Sequence, residues 1–335
     1  MKKLFIPLLL VTCIAGCQQK PQEKTYQTTG SIERLDPALD SIISKDAKIE
    51  IIADSLDWSE GPLWLEGQNM LLFSDVPQNT IYKWTAAQGM QVYLEPSGYT
   101  DTAQRGGEMG SNGLTLDQNG KLILCQCGNR QVAAMDASLD QPAAKFLPLA
   151  DRYDGHRFNS PNDVVVNSAG EIFFTDPPYG LEKNMDDPKK EIPFQGVYKI
   201  KANGDVILLT DSITRPNGIA FFPGEKTLLI ANSDPDKANW YAYDVDGDKL
   251  VNGRILLSAN GYDKKLKGLP DGMKIDRNGN VFSAGPGGIW IFNKDGKILG
   301  KLHVDNATSN CAFSADQKTL YITNDMYVLR VRLRS

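Results

Sequence analysis

Short runs of apolar, β-branched and aromatic residues fill most of the chain, and turn residues separate them at close intervals. Between Pro161 and Asp211, for example, the sequence contains the runs PNDVVVN, EIFFTDP, GVYKIKA and DVILLTD. Turns such as SAGE, DRNGN and NKDGK are hairpin signals, and no long helical periodicity interrupts the runs. The pattern therefore predicts an all-β protein.

The runs belong to a unit that the sequence repeats six times. The copies start at Glu60, Ser111, Pro161, Pro216, Pro270 and Ser309. Each complete copy can be read as four short strands, which is typical of a β-propeller blade. The last copy supplies only three strands, whereas the first is preceded by an extra strand at residues 49–53. Pairing that strand with the last unit predicts a closed six-bladed β-propeller over residues 47–335, without the exposed edge of an open array.

The N-terminus has the pattern of an export signal. Residues 1–17 combine two lysines, a short apolar core and the sequence Ile-Ala-Gly-Cys, which resembles a bacterial lipobox. The resemblance implies a lipid on Cys17 and a protein anchored in the cell envelope, either in the periplasm or at the cell surface. An ordinary cleaved signal is the alternative. Residues 18–46 are predicted to be a tether and a short N-terminal segment, with a short helix within residues 31–46.

Composition narrows the possible partners. The net charge is −5 and there are no basic runs, so we expect no nucleic-acid partner and no membrane contact beyond the N-terminal lipid. Only two histidines are present, which argues against a histidine-rich zinc site. Cys125, Cys127 and Cys311 lack the spacing of a disulfide framework, and we predict core or pocket-lining thiols.

One position of the repeat carries a carboxylate or a carboxamide in every unit, with spacings of 52, 50, 55, 54 and 39 residues. The residues are Glu60, Asn112, Asn162, Asn217, Asp271 and Asn310. Arranged around an axis, these side chains converge near one mouth of the central channel, and oxygen donors of this kind suggest a hard cation such as Ca²⁺. The alternative is that Asn or Asp before Gly is only a turn residue. Glu60 argues against that alternative, because Glu has no special turn chemistry.

Several short motifs occur in order and at blade spacing: SEGPLW (59–64), FSD (73–75), FNSPNDVVV (158–166), FTDPPYG (174–180), RPNGIAF (215–221), PDGM (270–273), and NCAF followed by LYIT (310–323). Through these motifs the chain resembles, from about residue 49 onward, the senescence marker protein/gluconolactonase family of calcium-dependent six-bladed propellers. The resemblance implies a metal-dependent hydrolase that opens a sugar lactone. The family's lactone-contacting arginine, known from animal members, has no clear match here.

The resemblance also implies roles for individual residues. Glu60, Asn162, Asn217 and Asp271 match the metal ligands, and Asp271 also matches the proton acceptor or nucleophile. Ca²⁺ is the expected cofactor, with Zn²⁺, Mg²⁺ or Mn²⁺ as alternatives. Further polar residues are candidates for binding the hydroxyl groups of a sugar, with a turn or core role as the alternative for each; they are Asn112, Asp176, Tyr179, Asn232 and Asn310.

Three other functions stay open at the level of sequence. A related ring of ligands can hydrolyse phosphotriesters, a propeller can bind a ligand without catalysis around a structural calcium, and a lyase or epimerase could act on an oxidised sugar. Fold alone does not decide between them.

Overall fold

The structure is a computed structural model that describes Met1 and residues 25–334. The export signal and Cys17 lie outside the described residues. Three strands precede the first blade: β1 (Thr28–Thr29), β2 (Ser31–Arg34) and β3 (Ile49–Ala53). The described part of the chain also contains two short 3₁₀ helices, Pro37–Ser41 and Asn184–Asp186, and no helix in it is long and apolar enough to cross a membrane.

Six antiparallel sheets follow, one per blade, with the strands of each numbered along the chain. Blade 1 contains β4 (Ser59–Leu65), β5 (Met70–Asp75), β6 (Thr80–Thr85) and β7 (Gly89–Leu94). Blade 2 contains β8 (Ser111–Leu116), β9 (Leu122–Gln126), β10 (Gln131–Met135) and β11 (Phe146–Ala150). A small ribbon of β12 (Arg152–Tyr153) and β13 (His156–Arg157) precedes blade 3, which contains β14 (Val164–Val166), β15 (Ile172–Asp176), β16 (Gly196–Ile200) and β17 (Val206–Thr210).

Blade 4 contains β18 (Pro216–Phe221), β19 (Thr227–Asn232), β20 (Asn239–Asp246) and β21 (Lys249–Ser258). Blade 5 contains β22 (Met273–Ile275), β23 (Val281–Gly285), β24 (Gly288–Phe292) and β25 (Ile298–His303). Blade 6 contains β26 (Asn310–Phe313), β27 (Thr319–Asn324) and β28 (Tyr327–Arg332). The innermost strands β4, β8, β14, β18, β22 and β26 each contact the next, and β26 contacts β4, so the ring is closed. The prediction of an all-β, six-bladed propeller is confirmed.

The closure also follows the prediction. Strand β3 pairs with β28 in antiparallel register, with Ile49 opposite Val331 and Ile51 opposite Leu329. Strand β1 then pairs with β3, so blade 6 has five strands. The N-terminal strand therefore covers the outer edge that an open array would expose.

The predicted helix within residues 31–46 is wrong for its first part. Ser31–Arg34 is strand β2, which extends blade 5 by pairing with β25. Its alternating exposed and half-buried residues suit an edge strand, and the free edge of β25 supplies backbone partners. Only Pro37–Ser41 is helical, as a 3₁₀ turn capped by Asp36, and the buried Leu39 and Ile43 pack on the core between blades 5 and 6.

Large apolar side chains fill the spaces between neighbouring blades, and both faces of the middle strands are buried. Trp240 is fully buried between blades 4 and 5, and its indole N–H donates to Ser283 Oγ at 2.7 Å. Cys125, Cys127 and Cys311 are buried free thiols, as the sequence predicts. The packed core fixes the blades around the central channel, where the polar groups lie.

Candidate active site

The repeated oxygen-bearing residues lie at or just before the start of the six innermost strands. We call this set the first ring: Glu60, Asn112, Asn162, Asn217, Asp271 and Asn310. A cavity of about 420 Å³ lies at this mouth of the channel. Five of the six ring residues line it, the exception being Asn310, and Tyr179 lines it as well. The structure therefore brings together the four residues that match the family's metal ligands.

Close packing of the innermost strands explains the glycines that follow most ring residues. A Cβ at Gly218 would lie 2.3 Å from the backbone oxygen of Asp271, and one at Gly272 would lie 2.0 Å from Asn310 Cγ. Neither glycine has a positive φ. Turn chemistry is therefore the wrong explanation for these two motifs; glycine is needed because neighbouring blades approach each other at the hub.

Several acceptor oxygens around the cavity have no hydrogen-bond donor in the described protein. They are Oδ1 of Asn112, Oδ1 of Asn162 and Oε2 of Glu108, and all three are buried. The amide nitrogen of Asn217 donates to Ser233 Oγ at 2.9 Å, which leaves the amide oxygen as its free side. Buried acceptors without donors cost free energy, so this mouth suits a ligand that attracts oxygen atoms.

Both first-ring carboxyls are shielded from solvent: Glu60 is buried and Asp271 is half-buried. Glu60 Oε2 accepts from the N–H of Gly61 at 2.8 Å, and Asp271 Oδ1 accepts from the N–H of Gly272 at 2.9 Å. Burial raises the pKa of both carboxyls, and for Asp271 the charge of Glu60 raises the pKa further. A proton or a cation is needed to offset this repulsion.

Asn310 supports the ring rather than lining the cavity. Its amide donates to Glu60 Oε2 at 3.4 Å, and its Oδ1 accepts from the N–H of Cys311 at 2.8 Å. The Asn310 amide also lowers the pKa of the buried Asp163, although burial raises it overall. The polar atoms of Asn310 therefore hold Glu60 in place, and the sugar contact for Asn310 stays a prediction.

Asp176 also forms its hydrogen bonds within the protein, and its sugar contact likewise stays a prediction. Asp176 is fully buried, does not line the cavity, and accepts from the N–H of Asn159 at 2.8 Å and of Ser160 at 2.6 Å. Burial raises its pKa to about 7. Asn232 has the same kind of role in blade 4, where its Oδ1 accepts from the N–H of Arg215 at 2.8 Å. Both residues fix the loops that lead into the innermost strands.

Sequence reasoning missed several cavity residues because they lie in loops without a repeat pattern. The main ones are Trp58, Glu108, Arg215, Ser233 and Tyr262. Arg215 lines the cavity next to Tyr179: burial raises the pKa of Tyr179, and the positive charge of Arg215 opposes that rise. The RPNG motif could have pointed to Arg215, which directly precedes strand β18.

The donor set determines which ion could bind. In the part of the chain that the structure describes, no three His, Cys, Asp or Glu side chains are arranged to share a metal. An ion at the first ring would instead combine two carboxylates with amide oxygens and water. Ca²⁺ and other hard cations accept this combination, whereas tetrahedral zinc sites rely on His and Cys.

The fold and the site define a class: a six-bladed propeller with a polar cavity at the hub, ringed by carboxylate and amide oxygens. The profile of the SMP-30/Gluconolactonase/LRE-like region matches residues 58–325. The chain belongs to this family, as its motifs predict.

Individual relatives agree with this assignment. A gluconolactonase of Zymomonas mobilis is 37% identical over 99% of this chain and 95% of its own length. Regucalcin of Sus scrofa is 26% identical over 82% of this chain and 86% of its own. Among solved structures, a gluconolactonase of Xanthomonas campestris superimposes with a TM-score of 0.79 and 28% identity over 93% of this chain and 98% of its own.

Proposed function

We propose that this protein opens sugar lactones by hydrolysis, with a divalent cation such as Ca²⁺ at the first ring. The ligands from the chain are Glu60, Asn162, Asn217 and Asp271. The observation that carries the proposal is the set of buried acceptor oxygens without donors, gathered around two carboxyls of raised pKa. The full-length similarity to a gluconolactonase supports the choice of reaction.

The cation, when bound, polarises the lactone carbonyl and stabilises the negative charge that develops on its oxygen. The chain's own groups fix the geometry around it. Ser233 accepts from the Asn217 amide at 2.9 Å and donates to the backbone oxygen of Pro270 at 2.7 Å, so it orients the Asn217 oxygen. Asn310 orients the Glu60 carboxyl in a similar way, by donating its amide N–H to Oε2. These groups reduce the reorganisation that ion and substrate would otherwise require.

Asp271 is the residue that acts on the attacking group. One of its oxygens accepts from Gly272, and no hydrogen bond holds the other. That oxygen either accepts a proton from water that attacks the lactone carbonyl or attacks the carbonyl itself. A nearby cation lowers the pKa of the Asp271 carboxyl and weakens it as a base. Direct attack by the carboxylate is therefore an alternative to proton acceptance from water.

The cavity wall provides contacts suited to a sugar ring and its acid product. Asn112 and Tyr179 present polar atoms for hydroxyl groups, and the charge of Arg215 suits the carboxylate that hydrolysis produces. Trp58 and Tyr262 line the same cavity and offer apolar ring faces. We also propose that a lipid on Cys17 anchors the protein in the cell envelope. Cys17 itself lies outside the described residues.

The test is acid release from glucono-1,5-lactone, with and without a chelator, by the wild type and by Asp271→Asn. Asp295→Asn is the matched control, since Asp295 is an exposed residue of the same blade. We expect turnover that the chelator and Asp271→Asn abolish and Asp295→Asn preserves. Tight cation binding without turnover on a panel of lactones would contradict the proposal and favour a binding protein. Turnover of phosphotriesters or oxidised sugars alone would favour the other two alternatives.

A further inference from the structure

A carboxyl outside the first ring also reaches the cavity. Glu108 lies on the loop between β7 and β8, lines the cavity wall, and has a buried Oε2 without a hydrogen-bond donor in the described protein. Arg105 fixes the same loop across two blades. Its guanidinium donates to the backbone oxygen of Gly128 at 2.8 Å and to that of Gly180. These two bonds fix the loop and thereby restrict the position of Glu108.

The charge of Glu108 acts on groups from several sides of the cavity. It raises the pKa of Glu60 in blade 1, of Cys127 in blade 2, of Tyr179 after β15, and of Asp271 before β22. Glu108 therefore lies close enough to the first ring to interact with a substrate bound there. Burial raises its own pKa to about 7, so a large fraction of the carboxyl keeps its proton near neutral pH.

The chemistry of lactone opening requires a proton at a second point. When the bond between the carbonyl carbon and the ring oxygen breaks, the ring oxygen of a sugar lactone leaves as an alkoxide, which is strongly basic. Asp271 serves the attacking side and is a proposed ligand of the cation. A separate group that carries a proton is needed on the leaving side, and a carboxyl of raised pKa can be that group.

We propose that Glu108 is the general acid that protonates the leaving ring oxygen, an inference that rests on the proposed lactonase function. In the water route, the water oxygen bonds to the carbonyl carbon and its proton passes to Asp271. The bond from carbonyl carbon to ring oxygen breaks, and the proton of Glu108 moves to that oxygen, which becomes a hydroxyl. Solvent exchange then returns a proton to Glu108 and removes one from Asp271, so that a lactone and water give one hydroxy acid.

The test compares Glu108→Gln with the wild type on two lactones. Glucono-1,5-lactone releases an alkoxide, whereas dihydrocoumarin releases a phenolate that needs little help from an acid. We expect kcat on the sugar lactone to fall by about 10²- to 10⁴-fold and on dihydrocoumarin by less than about 10-fold. The loss of kcat in the wild type as rising pH removes the Glu108 proton should be absent in the variant. Glu95→Gln, an exposed glutamate of the same loop, is the matched control.

Binding measurements separate the alternatives. Calorimetric titration with Ca²⁺ should give the Glu108→Gln variant an affinity within about 3-fold of wild type, because the general acid is not a ligand. An affinity loss as large as that of Glu60→Gln would overturn the proposal and make Glu108 a ligand. Unchanged kcat on the sugar lactone with an unchanged pH profile, or equal losses on both lactones at an unchanged unfolding temperature, would also overturn it. A wild type that hydrolyses no lactone would instead contradict the proposed function itself.

Discussion

Two rings of residues lie at the same end of the blades, and all of them except Gly285 have polar side chains; the rings differ in how their hydrogen bonds are used. The first ring is defined above. The second ring lies at the end of the second strand of each blade and consists of Asp75, Gln126, Asp176, Asn232, Gly285 and Asn324. In blades 1, 2 and 4 the second-ring residue lies opposite the residue that precedes a first-ring residue, in the pairs Ser59–Asp75, Ser111–Gln126 and Pro216–Asn232.

The second ring is satisfied by the protein itself. Asp75 accepts from the N–H groups of Asp57 and Trp58, both at 3.1 Å, and Asn324 donates to the backbone oxygen of Ala307 at 3.0 Å. Trp58 and Ala307 line the cavity, as does Arg215, whose N–H bonds to Asn232. The second ring therefore holds the cavity loops, whereas the first ring leaves acceptor oxygens for a ligand. The two rings therefore differ in whether the protein itself supplies hydrogen-bond partners for their polar atoms.

The largest expected effect comes from replacing a first-ring carboxylate. Glu60→Gln should reduce Ca²⁺ affinity by about 1,000-fold, ~4 kcal/mol, because the ion loses one of its two charged ligands. In the presence of a chelator, the unfolding temperature of the variant should equal or exceed that of the wild type, because a neutral amide replaces a buried carboxyl of raised pKa. Calorimetric titration and thermal unfolding measure the two effects. Glu66→Gln, an exposed glutamate of blade 1, is the control, and retained affinity in Glu60→Gln would remove the distinction between the rings.

The second ring should show the opposite behaviour. Asp176→Ala leaves the buried N–H groups of Asn159 and Ser160 without their acceptor, which should lower the free energy of unfolding by ~3 kcal/mol. Asp176→Asn keeps one acceptor oxygen and should lose less. Urea denaturation in chelator measures the change, and Ca²⁺ titration of both variants should give affinities within a few-fold of wild type. A large affinity loss with little change in stability would mean that Asp176 belongs to the ligand site after all.

The pH dependence of stability should separate the rings again. Burial raises the pKa of Glu108 and of Asp176 to about 7, and it raises that of Glu60 as well. Since these folded-state pKa values exceed the unfolded ones, the folded protein binds more protons between about pH 4 and pH 7, and stability falls as pH rises through that window. In the presence of a chelator we expect the free energy of unfolding to fall by several kcal/mol between pH 5 and pH 8, with ~2 kcal/mol of that loss from Asp176 alone.

Calcium is the control for this measurement. A bound cation favours the ionised form of Glu60 and Asp271, so saturating Ca²⁺ should remove the first-ring part of the loss. The contribution of Asp176 should remain, and Asp176→Asn should remove it. Urea denaturation at several pH values, with and without Ca²⁺, measures these differences. Stability that rises with pH in chelator would contradict the assigned direction of the shifts.

The sequence predicts the parts of this molecule that a repeat can encode. The six blades, the closing strand Ile49–Ala53 and the first ring follow from apolar periodicity and from one repeated position. The repeat places Asp176 and Asp271 at different positions, but it does not show which of the two acids is held by the protein's own N–H groups, because that depends on their backbone partners. The apolar spacing in residues 31–46 fits a helix as well as it fits an edge strand followed by a turn. The open edge of blade 5 decides between them.

Loop residues are harder to predict for a different reason. Glu108 and Arg215 lie in the segments that join blades, where no alternation restricts direction and no other copy supplies an equivalent residue. Their placement in the cavity depends on long-range bonds, namely those of Arg105 to Gly128 and Gly180 and that of Asn232 to the N–H of Arg215. Such bonds join residues far apart in sequence, so no local sequence pattern predicts them.

The smallest expected effect tests how the rings are coupled. Ser233 directly follows the second-ring residue Asn232, and its hydroxyl fixes the amide of first-ring Asn217 while donating to the backbone oxygen of Pro270. Ser233→Ala should therefore reduce Ca²⁺ affinity by about 10-fold, ~1.4 kcal/mol, because the Asn217 oxygen loses its fixed direction. Ser74 provides the matched control. Its hydroxyl also joins neighbouring blades, donating to the backbone oxygen of Asn112 at 3.1 Å, but within residues 25–334 it forms no hydrogen bond with a first-ring side chain. Ser74→Ala should lose stability in urea with its Ca²⁺ affinity unchanged. If both variants lost affinity equally, general loosening of the hub, and not the orientation of one amide, would connect the two rings.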